Sequence, residues 1–318
     1  MKHFIAAPDA SEIDRLISSA LYYKQSPRAD KLLGEGKRIG MLFMNPSLRT
    51  RLSTQIAAQN LGMDAIVLNL DKDGWKMETG DGVVMNGSTV EHIKDAGPVL
   101  GSYFDIICVR SFPSLTDKEE DEKDTMIRSL IRHTGKPVIS LESTTLHPLQ
   151  SLADAISIRE KSVPGRKPKV VLSWAPHIKP LPQCVPNSFA QWMNVLHRDV
   201  DFVITHPEGY ELAPEYQGNA TLVYDQQEAL ADADFVYVKN WSSYNDYGAM
   251  PAVQSDWQLR ASSLAHAPAA HIMHCLPVRR NVELSDELLD SPRSIVPLQA
   301  ANRVWAAQAV IASILKSL

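Results

Sequence analysis

Cysteine is scarce. Cys108, Cys184 and Cys275 are three in 318 residues and widely separated, which excludes a disulfide framework and a paired CxxC metal site and suits a reducing cytoplasm. No apolar run approaches the length of a membrane span. The N-terminus passes from Met1-Lys2-His3-Phe4 to Asp9 and Glu12 without the apolar core of a signal peptide. Basic charge is not in excess: 32 Lys and Arg stand against 37 Asp and Glu, a net charge of −5, which argues against a broad nucleic-acid surface while allowing a local basic pocket. HExxH and GxSxG motifs are missing, so neither a zinc protease nor a serine hydrolase is indicated. Gly34-Glu35-Gly36-Lys37-Arg38-Ile39-Gly40 is glycine-rich but precedes its strand instead of following it, which disfavours a dinucleotide fold. No internal repeat is present. A soluble cytoplasmic protein with a small-molecule ligand is what these absences leave.

Apolar residues make up 44% and charged residues 22% of a chain long enough for two domains of ordinary size. After a helix carrying Ile13, Leu16, Ile17, Ala20 and Leu21, short apolar runs alternate with helical stretches. Strands are expected at 39–44, 65–70, 105–109 and 137–141, then at 170–174, 201–205, 235–238 and 271–273. This alternation predicts an α/β fold of two domains, each a parallel sheet flanked by helices, with ligands gathering at the carboxyl ends of strands. The proline-rich and basic stretch Ser162 to Lys169 reads as an exposed connection, and the acidic run Asp117 to Asp124 as a solvated turn and helix start.

Asn45-Pro46-Ser47-Leu48-Arg49-Thr50-Arg51 falls where the first strand meets a helix. First-turn N–H groups there lack intrahelical partners, and the helix dipole favours an anion, so Ser47, Arg49 and Thr50 could complete a phosphate cradle. An ordinary capped helix with a solvated arginine would read the same way. Leu48, Leu52 and Ile56 recur every four residues as the helix's apolar stripe, and Gly62 closes it. Arg110 ends another strand and could add a second guanidinium. His147 and Gln150, three apart after Glu142, share a helix face and could meet a planar amide through a donor and an acceptor. His274-Cys275-Leu276-Pro277 follows the strand at His271. Its adjacent Cys and His point different ways, which speaks against a thiol nucleophile. The polar loop 71–82 holds Trp75, which either anchors a partner or tucks against its own domain. Ser88-Thr89-Val90-Glu91 reads as a helix capping box, with Val90 in the first turn.

Ser47-Leu48-Arg49-Thr50-Arg51, Arg110, His147-Pro148-Leu149-Gln150, His274-Cys275-Leu276-Pro277 and Gln299-Ala300-Ala301-Asn302-Arg303 together resemble, in identity and order, the aspartate/ornithine carbamoyltransferase family along essentially the entire chain. The resemblance implies a carbamoyl phosphate-binding domain over 1–148, an acceptor domain over 149–301, and a closing helix at about 302–318 that packs back on the first. It also implies that Ser47, Leu48, Arg49, Thr50, Trp75, Arg110, His147, Gln150, Cys275, Leu276 and Arg303 bind carbamoyl phosphate, with Arg49, His147, Cys275 and Arg303 acting in catalysis. No metal or organic cofactor is implied. The family's catalytic unit is a trimer, so Trp75 and Val90 would reach the neighbouring subunit's site.

The stretch Trp174 to Ser188, with its proline-rich loop, and Val238-Lys239-Asn240-Trp241 are similar to the N-acylornithine branch. That similarity implies acceptor contacts at Val90, Glu142, His177, Lys179, Asn187, Lys239, Cys275 and Arg279. Acetylornithine enzymes resemble the stretch around Val90 but carry glutamate there, and succinylornithine enzymes carry proline. A carboxylate at that place would repel the extra carboxylate of a succinyl group, whereas valine would not. Lys179 is the candidate cation for that carboxylate. The expected activity is transfer of the carbamoyl group of carbamoyl phosphate to the δ-amine of N-succinyl-L-ornithine in arginine biosynthesis, with N-acetyl-L-ornithine the alternative acceptor. A non-catalytic anion-binding relative is the alternative from another class.

Overall fold

The structure is a computed structural model that describes residues 1–250 and 255–318. The chain forms two compact units, Met1–Leu149 with Arg303–Leu318, and Gln150–Asn302. In the first, helix α1 (Ile13–Gln25) buries Leu16, Ile17, Ala20 and Tyr23. Strand β1 (Arg38–Phe43) is followed by α2 (Leu48–Asn60), β2 (Asp64–Asn69), the two-residue strands β3 (Met77–Glu78) and β4 (Glu91–His92), and α3 (Ile93–Tyr103). Then come β5 (Ile106–Arg110), α4 (Thr125–Thr134), β6 (Val138–Glu142) and α5 (Pro148–Lys161), within which the unit ends. The sheet runs β2-β1-β5-β6 with every pairing parallel. Leu42, Ile93, Phe104, Ile107, Val109, Ile127, Leu130 and Val138 form one core cluster on it.

The second unit continues with β7 (Lys169–Trp174), α6 (Cys184–Val195), β8 (Asp201–Thr205), β9 (Thr221–Val223), β10 (Phe235–Lys239) and β11 (His271–Met273). The order β11-β10-β7-β8-β9 is again wholly parallel. Helix α7 (Val296–Leu315) closes the chain, changing units after Asn302. The eight expected strands are present, each within a residue of its expected ends. The edge strand β9 has no signature in the sequence, because its three residues, one exposed and two half-buried, form no long apolar run.

One local expectation is corrected, and the fold sets which face of α2 is buried. The apolar stripe of α2 faces outward, with Leu48 70%, Leu52 49% and Ile56 43% exposed, while Thr50, Ser53, Thr54, Ala57 and Ala58 are buried. Small and hydroxyl side chains let this helix lie close to its sheet, so the larger apolar residues turn away from it. The capping box at Ser88–Glu91 does not form. The cap of α3 is His92, whose Nδ1 accepts from Lys94 N–H at 3.1 Å, and Glu91 lies in β4.

Helix α3 packs on α4 through glycine. A Cβ on Gly101 would lie 2.1 Å from the carbonyl oxygen of Thr134, and one on Gly97 2.6 Å from the Cβ of His133. Gly101→Ala must therefore push the helices apart, an overpacking cost of about 1–3 kcal/mol. Denaturant melts should show a lowered midpoint at unchanged slope, and a wild-type midpoint would refute the close approach.

Candidate active site

In the first sheet the chain adds β2 on one side of β1 and then crosses to add β5 on the other. The carboxyl ends of β1 and β5 therefore flank the topological switch, where parallel sheets open a crevice. Asn45 to Thr50 follow β1, and Arg110 ends β5. Ser47 caps α2, its Oγ accepting from Thr50 N–H at 3.4 Å. The β5–β6 register shifts between Val109 and Arg110, which brings Arg110 opposite Glu142. Arg110 donates through Nε and Nη2 to Glu142 Oε2 at 3.0 and 2.8 Å, and through Nη1 to the carbonyls of Asn45, at 3.3 Å, and Pro46. Arg110 thus braces the β1–α2 loop. From α7, Arg303 Nη2 donates to Thr50 Oγ1 at 2.7 Å.

His147 is buried in this cluster, Nε2 3.4 Å from Glu142 Oε2. Burial lowers its pKa to about 3; Glu142 opposes the shift, and Arg303, Arg110 and Arg49 reinforce it. The imidazole is neutral at pH 7, so its approach to Glu142 is no ion pair. Its Nδ1 is buried without a partner among the described residues, leaving one ring nitrogen to meet a ligand. Three guanidinium groups, always charged, stand against one carboxylate. The surplus of two positive charges matches a dianionic phosphate ester. Ser47, Leu48, Arg49, Thr50, Arg110, Glu142, His147 and Arg303 are thereby gathered in one unit. Glu142, expected on the acceptor side, is engaged by Arg110 beside His147.

The second unit repeats the topology. Strands β8 and β9 lie on one side of β7 and β10 and β11 on the other, so the ends of β7 and β10 flank its switch point. His177 follows β7 and Lys239 ends β10; the two segments are tied by Ala175 N–H to Lys239 O at 3.1 Å and Asn240 Nδ2 to Ala175 O at 2.7 Å. Arg279 Nε donates to His177 Nε2 at 3.1 Å, which leaves the ring proton on Nδ1 for the carbonyl of Lys179 at 2.8 Å. Burial holds His177 below the usual histidine range. Lys239 is buried, with Nζ donating to its neighbour's carbonyl, Asn240 O, at 3.0 Å. Lys179 is exposed, and Asn187 is buried in the first turn of α6. Gln150 lies in this unit, donating through Nε2 to Asp154 Oδ1 at 2.8 Å.

Cys275 is a buried thiol whose pKa burial pushes up, which keeps it protonated and unsuited to nucleophilic attack. The turn around it is held by His274: Leu276 N–H donates to His274 Nδ1 at 2.9 Å, and Nε2 faces Glu283 Oε1 at 3.3 Å. Glu283 also accepts from Arg279 N–H at 2.8 Å. Its pKa is held at about 2 by His274 and Lys239 with the Arg279 N–H, against the opposing effect of burial. Sequence reasoning missed Glu283, because a single glutamate in Asn281-Val282-Glu283 has no local signature. Trp75 and Val90 belong to the segments beside β3 and β4 of the first unit. Trp75, 51% exposed, donates through Nε1 to Glu91 Oε2 at 2.9 Å, and Val90, 63% exposed, donates its N–H to Lys76 O at 2.9 Å. Trp75 is therefore not tucked into a core, and the two side chains share one exposed edge.

Residues 2–160 match the family model described as aspartate/ornithine carbamoyltransferase, carbamoyl-P binding domain, and residues 185–314 match its Asp/Orn binding domain. The N-succinylornithine carbamoyltransferase of Bacteroides thetaiotaomicron is 47% identical over 320 residues, covering 100% of both chains. The N-acetylornithine carbamoyltransferase of Xanthomonas campestris pv. campestris is 34% identical, covering 99% of this chain and 98% of its own. Among solved structures, a glutamate-to-valine variant of N-acetyl-L-ornithine transcarbamylase complexed with carbamyl phosphate and N-succinyl-L-norvaline superposes with a TM-score of 0.90 at 34% identity, covering 99% of this chain and all of that one.

The buried histidine sets a pH dependence. An unfolded histidine titrates at about 6.5, whereas His147 in the fold titrates at about 3. Between those values the unfolded chain binds a proton that the folded chain does not. Stability is therefore intact above about pH 6.5 and falls as the pH drops toward 3, with a limiting slope of about 1.4 kcal/mol per pH unit. His147→Gln cannot protonate and should flatten this acid slope by one proton's worth in denaturant melts between about pH 6 and pH 4. An unchanged slope would show that the imidazole is not kept neutral.

Proposed function

The chain belongs to the aspartate/ornithine carbamoyltransferase family, and from that membership we infer that it transfers the carbamoyl group of carbamoyl phosphate to the δ-amine of N-succinyl-L-ornithine. The products are N-succinyl-L-citrulline and phosphate, a step of arginine biosynthesis. The observation that carries the donor assignment is the pairing of a net dicationic arginine cluster with a neutral, buried His147 at the switch point of the first sheet. Ser47 and Arg49 hold the phosphate, with Arg110 orienting the loop and adding charge. As the neutral δ-amine attacks the carbonyl carbon, Arg49, Thr50 and Arg303 stabilise the developing oxyanion and His147 meets the carbamoyl group. The C–O bond to phosphate then breaks, and the proton lost from the attacking amine leaves on the departing phosphate. Cys275 and Leu276 orient the amine and the carbamoyl nitrogen by hydrogen bonding, with no covalent intermediate.

On the acceptor side, Lys239 and Arg279 supply positive charge for the α-carboxylate, and Asn187 and His177 suit its amide. The distal succinyl carboxylate is assigned to Lys179, with Val90 admitting it. Support for Val90 comes from the acetylornithine enzyme whose glutamate-to-valine variant is complexed with N-succinyl-L-norvaline. The exposed apolar stripe Leu48, Leu52 and Ile56, together with Trp75 and Val90 on a second exposed edge, supports a homotrimer in which Trp75 and Val90 serve the neighbouring subunit's site. Three buried cysteines, none in a disulfide, support a cytoplasmic location.

Purified protein incubated with carbamoyl phosphate and, separately, ornithine, N-acetyl-L-ornithine and N-succinyl-L-ornithine should form citrulline-type product fastest with the last. Preference for the acetyl compound would reassign the acceptor. Val90→Glu should abolish the succinyl preference, and its survival would remove Val90 from the specificity assignment. Arg49→Ala should fold yet lose about 10²–10³ in turnover. Normal turnover by that variant would sink the role of Arg49.

A further inference from the structure

Asp154 belongs to none of the motifs, yet three of them meet at its carboxylate. It is wholly buried one turn beyond Gln150 on α5. Its Oδ1 accepts from Gln150 Nε2 at 2.8 Å and from Gln299 Nε2, on α7, at 2.7 Å. Gln299 in turn accepts the backbone N–H of His274 on its Oε1 at 2.9 Å. Tyr237 and Cys275 adjoin the same carboxylate, which with burial raises the Tyr237 phenol well above its usual pKa. Gln150, Gln299 and the His274 backbone, one residue from each of the HPLQ, QAANR and HCLP segments, are therefore registered to one another through one carboxylate, all within the second unit.

A buried carboxylate is costly to desolvate, and a packed core position does not require one. An ionised carboxylate only accepts hydrogen bonds, and Asp154 Oδ1 here accepts from two side-chain amides. A side-chain amide beside a hydroxyl or another amide can pair through either end, but beside a carboxylate it must turn its NH2 inward. Gln150 consequently commits Nε2 to Asp154 and turns Oε1 away from it. That acceptor oxygen is what the NH2 of a carbamoyl group needs, and a flipped amide would present a second donor to a donor.

We propose that Asp154 is a positioning residue for carbamoyl transfer, fixing the orientation of the Gln150 carboxamide and, through Gln299, its register with the Cys275–Leu276 turn. The assignment rests on the reading of Gln150 as a carbamoyl-binding residue. Asp154→Asn keeps the volume but offers Gln150 either end of an amide. It should lower kcat about 10- to 100-fold, as a misplaced orienting group does, with a smaller rise in KM for carbamoyl phosphate. Inhibition by inorganic phosphate, which the first unit's arginines bind, should not change.

A purely structural role would not produce the double-variant result. If Asp154 acts through Gln150, adding Asp154→Asn to Gln150→Ala should cost no more than about twofold beyond Gln150→Ala alone. Multiplicative losses, or normal kcat in Asp154→Asn alongside a slow Gln150→Ala, would overturn the assignment. Asp154→Ser, made in the same backgrounds, replaces the asparagine variant if that one does not fold. A wild-type protein without carbamoyl transfer would instead remove the reading on which the assignment rests.

Discussion

The contact between Arg110 and Glu142 is the interaction on which the donor site depends. Both side chains are buried, and two guanidinium nitrogens converge on one carboxylate oxygen. Removing either partner would strand the other charge in the interior, at about 3–5 kcal/mol. The pair connects the end of β5 to the end of β6, and the third nitrogen of Arg110 holds the carbonyls that lead into α2. The position of Ser47, Arg49 and Thr50 follows from where that loop is held. The same Glu142 sits beside His147 and partly offsets the arginine field that disfavours its protonation.

Charge is handled differently in the two units. The first keeps an arginine surplus and a neutral imidazole, a field that favours an anion and leaves no acidic proton on the histidine. In the second, the Glu283 carboxylate offsets positive charge beside the HCLP turn and accepts from the Arg279 N–H. Its two oxygens face the His274 ring and the Arg279 backbone, which ties both ends of the turn to one residue.

Much of this is legible in the sequence. Parallel strands are buried on both faces, so their sequences are continuous apolar runs, and β1, β5, β7 and β10 stand out as such. Residues placed just after those strands are candidates for a site by topology alone, as with Arg110, His177 and Lys239. Other residues were not legible. Leu48, Leu52 and Ile56 have the spacing of a buried stripe, but helical spacing says which residues share a face and not which way the face turns. Ser88 to Glu91 has the composition of a cap, but the pairing of β3 with β4 delays the helix to Ile93.

Sequence by itself determined the strand–helix alternation, the two parallel sheets and the set of motif residues, because each is written in local periodicity or in side chains next to one another. Only the tertiary structure decided that Arg110 is spent on Glu142, that His147 is neutral, and that Asp154 and Glu283 hold the motif segments together. Those outcomes depend on partners 32 positions apart, as with Arg110 and Glu142, or 145 positions apart, as with Asp154 and Gln299. Burial and charge act through space, so a carboxylate's role is set by the groups the fold brings to it and not by the residues that flank it in the chain.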